Sequence, residues 1–446
     1  MTRIFPEDLA ARFSTRAIHA GQRPDPTSGA IMPPIYQTST YAQESLGVNK
    51  GYEYARGKNP TRECLERNVA TLEGAEHGFA FSSGMGCVDS IMKLFKSGDH
   101  IVVGSNVYGG TFRLFDKILQ GFGMQFAWVD TRDPQRIADA IKPNTRAVML
   151  ETPTNPLMHL TDLAAAAQIA KEAGALTIVD NTFATPYLQT PLSLGADIVW
   201  HSSTKYLNGH SDVIGGIAVL NDNELAKRLQ FALNSAGAVP GPMDSWLTLR
   251  GTKTLALRVR QHDSNGRAAA AWLADRMGEK NVFYPGLATH PQHELAKRQM
   301  RGFGGMVSVE TGSKENANKV VSRVKVFTLA ESLGGVESLV CQPAGMTHAS
   351  IEPARRLEIG ITDGLLRFSC GVEDVEDIVA DLAQVGLGHE RPDLKGVVRT
   401  IRPRVAVIAA ARQGLCVERV VGFFVVHAEE SVGTGTAFHG RWCLMV

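Results

Sequence analysis

Ile198-Val199-Trp200-His201-Ser202-Ser203-Thr204-Lys205-Tyr206 opens as a short apolar strand, passes into a hydroxyl-rich turn and reaches a lysine. A second apolar run, Leu176-Thr177-Ile178-Val179, ends in the same manner on Asp180. Upstream, Ile101-Val102-Val103 and Ala147-Val148-Met149-Leu150 read as further short strands, and Ile217-Ala218-Val219-Leu220 follows downstream. Helical patterns lie between them; the segment 84–95 puts Met85, Val88, Ile91, Met92 and Phe95 on one face. Short apolar strands alternating with helices predict a mainly parallel sheet covered on both faces. Ligands of such sheets sit at the carboxyl ends of the strands, where Asp180 and Lys205 fall.

Around this α/β region, 61–255, three other stretches differ in texture. Residues 1–60 contain Pro24, Pro26, Pro33, Pro34 and Pro60 with polar turns, and read as an extended N-terminal arm. Residues 256–388 loosen into a smaller α+β region with strands at Met306-Val307-Ser308-Val309 and Leu365-Leu366-Arg367-Phe368-Ser369. Residues 389–446 are rich in Val, Ala, Arg and Gly, as in 405–411 and 420–426, and read as an atypical tail.

Bulk properties exclude several function classes. The 446 residues are too many for one core and match two domains plus an extension. Lys+Arg 46 against Asp+Glu 45 leaves no net field to attract nucleic acid or an anionic membrane. The six cysteines lie far apart without a C-x-x-C pair, which favours a reduced cytoplasmic chain over a disulfide framework or zinc site. The first residues carry Glu7 and Asp8 where a signal peptide needs an apolar stretch, and no apolar run reaches the roughly 20 residues of a membrane helix. His290-Pro291-Gln292-His293 lacks the spacing and third ligand of a metal site, so no metal is expected.

The pairing of Lys205 with Asp180 points to pyridoxal phosphate (PLP). The amine forms a Schiff base with the cofactor's aldehyde, and the carboxylate keeps the ring nitrogen protonated so that the ring accepts electrons. The phosphate needs backbone N–H donors, and Ser82-Ser83-Gly84-Met85-Gly86 supplies them at a helix start. Ser202 and Thr204 add hydroxyls. Taken alone, that turn is an ordinary serine cap. Gly84-Met85-Gly86 also begins like a dinucleotide fingerprint, but Asp89 replaces the third glycine, which disfavours a nicotinamide enzyme. Tyr108, flanked by Gly109 and Gly110, can lie against a flat ring with its hydroxyl free for proton transfer. Arg367 in an otherwise apolar strand suits bidentate capture of a carboxylate.

The chain resembles the trans-sulfuration (Cys/Met metabolism) family of PLP enzymes from about residue 13 to 388. The motifs are 54–62 (Tyr-Ala-Arg-Gly-Lys-Asn-Pro-Thr-Arg), Ser83-Gly84-Met85, Tyr108-Gly109-Gly110-Thr111, Glu151-Thr152-Pro153-Thr154-Asn155-Pro156, Val179-Asp180-Asn181-Thr182 and 204–212. The resemblance implies PLP fold type I, aspartate aminotransferase-like, in a homotetramer whose active sites are shared across a dimer interface. It implies that Lys205 is the Schiff-base lysine, Asp180 the ring-nitrogen partner and Tyr108 the stacking ring. Gly84, Met85, Ser202 and Thr204 would bind the phosphate, while Tyr54 and Arg56 would reach the phosphate of the neighbouring subunit. Asn155, Ser332 and Arg367 would hold the substrate carboxylate, with Arg113 at the entrance. Glu331 precedes Ser332, as in γ-lyases and γ-synthases, where it can meet the distal ammonium of cystathionine. Gly110 stands where methionine γ-lyases carry cysteine. Residues 284–295 look most like the γ-lyases. Cystathionine γ-lyase is therefore the expected activity, with γ-synthase or β-lyase as alternatives. A non-catalytic PLP-fold regulator is disfavoured by the intact Lys205, Asp180, Tyr108 and Arg367. The tail matches no part of the family pattern and is either a genuine extension or the readout of a shifted frame.

Overall fold

A computed structural model describes residues 2–349, 351–386, 417–420 and 423–426. Its largest element is a seven-stranded sheet of β1 (His77–Phe81), β2 (His100–Gly104), β3 (Gln125–Val129), β4 (Thr145–Glu151), β5 (Leu176–Asp180), β6 (Ile198–Ser202) and β7 (Gly216–Leu220). The order is β1-β7-β6-β5-β4-β2-β3, and only β7 runs antiparallel to its neighbours. The central strands carry near-continuous apolar runs because both faces are covered. Ile101, Val103, Met149, Ile178 and Ile198 enter one core; Val102, Val148, Leu150 and Val179 enter another on the opposite side.

Each strand predicted in this region is present, most with one or two residues added. Two were missed. The sequence of β1, His-Gly-Phe-Ala-Phe, looks too weak for a strand, yet all five residues are buried. Gly78 is needed there: a Cβ would lie 2.3 Å from the Glu66 carbonyl of the overlying helix. The other, β3, is a partly exposed edge strand.

The 1–60 stretch is less extended than its prolines indicate. It contains a 3-10 helix, Pro6–Ala10, and helix α1, Phe13–His19, which buries Ala17. Helix α2 (Pro60–Glu73) starts where the sequence provides every stop and start signal. The Asn59 side chain accepts from the Thr61 and Arg62 amides, Pro60 takes the first turn, and Gly74 closes the helix at φ 74°. Helix α3 (Gly84–Met92) is capped by Ser83, whose hydroxyl accepts from the Gly86 N–H at 2.9 Å. It ends three residues before the predicted Phe95, but buries Val88, Ile91 and Met92 as the periodicity requires. Each such side chain contributes about 1.5–3 kcal/mol by burial.

The five-stranded sheet contains β8 (Val282–Phe283), β9 (Met306–Glu310), β10 (Thr328–Leu329), β11 (Leu339–Cys341) and β12 (Leu365–Ser369), in the order β10-β11-β12-β9-β8. The helix Leu255–Met277 packs on β9 through a core that includes Ala269, Leu273, Val307, Val309 and Phe368. The chain divides into two units, Met1–Gly388 and His389–Val446. In the second, Val417–Val420 and Phe423–Val426 pair as an antiparallel hairpin. The run 405–411, Cys416 and Cys443 lie outside the described residues. Among the described residues no helix is long and apolar enough to cross a membrane.

Candidate active site

Strand order reverses between β4 and β2, and the sites of doubly wound sheets open at such a switch point. A cavity of about 710 Å³ lies there, lined by Gly84, Met85, Tyr108, Asn155, Asp180, Ser202, Thr204, Lys205, Glu331, Ser332 and Arg367. These side chains come from strand ends and turns separated by hundreds of residues, and the fold brings them into one pocket.

Lys205 lies in the turn after β6. Its Nζ donates to Ser332 Oγ at 2.8 Å. Burial, and next the charge of Arg367, lower its pKa to about 8. A neutral amine is the form that attacks an aldehyde, so this environment favours Schiff-base formation. Asp180 closes β5 with only 6% exposure, held by the Thr182 N–H at 2.9 Å. Burial raises its pKa to about 6. A cation facing it would restore the charged form, which is the situation of a protonated ring nitrogen.

Arg367, on β12, is 2% exposed. Its Nη1 donates to Asn155 Oδ1 at 2.8 Å and its Nη2 to the Ser332 carbonyl at 2.9 Å, while its Nε is buried without a partner. Ser332 has a φ of 87°, a conformation costly for a residue with a Cβ. Its bonds to Lys205 and Arg367 hold it there. A guanidinium, an amide and a hydroxyl therefore cluster beside the amine, a set of groups able to pair with a carboxylate.

Helix α3 and the turn after β6 form one end of the pocket, with donors that suit an anion. The amides of Gly84 and Met85 head α3, and the Ser202 side chain lies close to Gly84. The Thr204 hydroxyl is engaged with the backbone of Gly215, accepting its N–H at 3.0 Å. Tyr108 is 39% exposed at the start of helix α4 (Gly109–Leu114), and its ring lies over Gly110. A Cβ on Gly110 would come within 2.4 Å of that ring and 2.9 Å of Met85 Sδ, so this ring position requires glycine.

Three residues implicated by the sequence lie elsewhere. Tyr54 and Arg56 are exposed and line a separate cavity of about 410 Å³ with Ser39, Asn59 and Gly237. The Arg56 guanidinium lies 5.4 Å from the Tyr54 ring. Arg113 is exposed on α4 and does not line the main pocket. His290 and His293 belong to a turn and a helix start: His290 Nδ1 accepts from the Gln292 N–H, and His293 Nδ1 lies 2.8 Å from the Pro285 carbonyl.

The sequence reading missed Glu151, Thr182 and Thr347, which also line the pocket. Thr182 both supports Asp180 and accepts from the Ser202 N–H at 2.9 Å. Glu151 lies within the motif 151–156, whose spacing alone assigns it no chemistry. Its signal was available: it ends β4 as Asp180 ends β5.

Residues 14–386 match the family model described as "Cys/Met metabolism PLP-dependent enzyme". Cystathionine gamma-lyase of Bacillus subtilis (strain 168) is 54% identical over 370 residues, covering 83% of this chain and 98% of that protein. Cystathionine beta-lyase of Coxiella burnetii is 52% identical over 375 residues, 83% and 97% respectively. Cystathionine gamma-synthase of Mycobacterium tuberculosis is 50% identical over 374 residues, 83% and 96%. The crystal structure of cystathionine gamma-lyase from Lactobacillus plantarum complexed with L-serine superposes with a TM-score of 0.82 at 47% identity, covering 84% of this chain and 98% of that one. The fold and site define a PLP enzyme of fold type I. The chain belongs to the Cys/Met metabolism family of PLP-dependent enzymes, and PLP is its cofactor.

Proposed function

We propose that the chain is a cystathionine γ-lyase, cleaving cystathionine to cysteine, 2-oxobutanoate and ammonia. The observation that carries this reading is the position of Glu331. It lines the pocket as an exposed carboxylate immediately before Ser332, whose carbonyl accepts from Arg367. Cystathionine has a second, distal ammonium, and a carboxylate at the pocket rim is its natural partner.

Bound here, PLP supplies an aldehyde for amine exchange and an electron-accepting ring. Arg367 and Asn155 hold the substrate carboxylate and orient the Cα–H bond. Asp180 keeps the proton on the ring nitrogen. With PLP bound, the free amine of Lys205 would take the Cα proton and then serve as a proton carrier on that side of the pocket. Lys205 would next remove a Cβ proton, Tyr108 or Lys205 would give a proton to the γ-sulfur as cysteine leaves, and water would hydrolyse the released enamine to 2-oxobutanoate and ammonia. The α3 amides and Ser202 anchor the phosphate so that the reacting atoms keep their place, and Thr204 joins them by turning its hydroxyl proton from the Gly215 carbonyl, 3.3 Å away, to the phosphate. Tyr54 and Arg56 reach the phosphate in a neighbouring subunit, within a homotetramer, and Arg113 lines the substrate entrance in that assembly. We place the enzyme in the cytoplasm, where its reduced thiols and amino-acid substrate belong.

The relatives named β-lyase and γ-synthase supply the rival readings, because one pocket can present either C–S bond or admit cysteine as a nucleophile. Product analysis with cystathionine separates them. Equal amounts of 2-oxobutanoate and cysteine are expected. Pyruvate with homocysteine would replace the γ-lyase reading with β-cleavage, and efficient cystathionine synthesis from an activated homoserine would favour the synthase.

A further inference from the structure

Glu151 is 7% exposed and ends β4 in register with Asp180 on β5. Its two oxygens take different backbone donors: Oε2 accepts from the Tyr108 N–H at 2.7 Å and Oε1 from the Asn155 N–H at 3.0 Å. Those donors belong to two turns on either side of the switch point, one after β2 and one after β4. The first carries the ring that covers the cofactor. The second carries the amide that accepts from Arg367 at 2.8 Å. Glu151 also lines the main pocket itself. It lines a second, polar cavity of about 440 Å³ as well, which contains Asn106, Thr154 and His159. It therefore stands in the wall between them, and each turn is tied to it by one hydrogen bond.

From this geometry we infer that Glu151 is a positioning residue: it fixes the spacing between the Tyr108 ring and the Asn155 side chain, and so registers cofactor against substrate carboxylate. The inference rests on the roles proposed above for Tyr108 and Asn155. A buried carboxyl group serves this purpose better than a hydroxyl or an amide: burial and the neighbouring Asp180 charge raise its pKa, yet each of its two oxygens keeps a lone pair for one of the two N–H donors. Backbone N–H bonds to a carboxylate are also among the stronger and shorter hydrogen bonds. A shift of a few tenths of an ångström in this one side chain would move both turns, and misplacement of about 1 Å can cost roughly 10²-fold in rate.

Glu151→Gln tests the inference in the PLP-loaded enzyme. The variant preserves volume but turns an NH₂ toward one of the two N–H donors, so one tether is lost. The expected results are a KM for cystathionine raised about tenfold, a weakened visible circular-dichroism band of the bound cofactor, and a smaller fractional change in kcat. In an Asn155→Ala background the same substitution should add almost nothing to KM, because the residue it positions is gone. Glu151→Asp keeps two acceptors but is one methylene shorter, so it too should raise KM and weaken the dichroism; if the Gln variant does not fold, the Asp variant's KM and dichroism decide, and wild-type values for both would overturn the inference. A Gln variant with wild-type KM and dichroism would overturn it, as would a KM effect that multiplies in full on Asn155→Ala. If Asn155→Ala alone leaves KM unchanged, the carboxylate reading of Asn155 fails and the inference falls with it. A normal Asn155→Ala loss combined with a fully multiplicative Glu151 effect removes the Glu151 inference alone.

Discussion

The pocket floor and the N-terminal arm contain residues of the same proposed site, yet they are built in opposite ways. On the floor, Asp180, Asn155 and Arg367 are 6%, 4% and 2% exposed, and their bonds form within one chain. On the arm, Tyr54 is 51% exposed, and Arg56 rests beside it over a different cavity. Groups that shift electrons must be desolvated and fixed before substrate arrives, which a folded core provides. A phosphate clamp can be delivered from outside, because a guanidinium remains charged and needs only to reach an oxygen.

Substitution at the floor should give the largest effect. Lys205→Ala is expected to lower turnover about 10³-fold or more and to remove the yellow colour of the bound cofactor; steady-state assay and the visible spectrum check both.

The second break concerns pH in the cofactor-free chain. Burial lowers Lys205 from its ordinary 10.5 to about 8. Below pH 8 folded and unfolded chains both hold the proton, so the cost of burying a charged amine is fully present. Between about 8 and 10.5 the folded chain has released it while the unfolded chain has not, and stability rises with pH. The gain is on the order of 3 kcal/mol from 2.5 pKa units. Urea unfolding at pH 7, 8.5 and 10 should show this rise in wild type relative to Lys205→Met, which lacks the titrating amine. A constant difference between the two proteins would mean that the lysine is not desolvated.

The arm gives the smallest effect. Arg56→Ala should weaken PLP binding about tenfold, the scale of one charge-assisted hydrogen bond, while leaving the thermal midpoint nearly unchanged. Mixing Arg56→Ala with an inactive Lys205→Ala protein sharpens the comparison: if sites are shared between subunits, mixed assemblies recover sites that have both an intact lysine and an intact Arg56. Absence of recovery would place Arg56 in its own subunit's chemistry.

Much of this organisation was legible beforehand because strand ends declare themselves. An apolar run followed by one polar residue marks where the chain leaves the core, and Asp180 and Lys205 were read in that way. The same rule applies to Glu151, the polar residue directly after the apolar run 147–150, but its part depends on which turns it ties together, and that is set by the fold. The weak strand β1 was hidden because its glycine, a poor strand former, is demanded by a helix 2.3 Å from where a Cβ would be. Ser332 gave no hint of its left-handed backbone; that conformation depends on Lys205 and Arg367, 127 and 35 residues away.

By itself the sequence determined the mainly parallel sheet, the candidate pair Lys205 and Asp180 at its strand ends, and the family, because strand periodicity and motif chemistry are local. Only the tertiary structure decided which distant turns meet. It brought Asn155 under Arg367 and joined the Tyr108 and Asn155 turns through one carboxylate. It also left Tyr54 and Arg56 outside the main pocket. Such pairings depend on sheet order and side-chain reach, which no local pattern encodes.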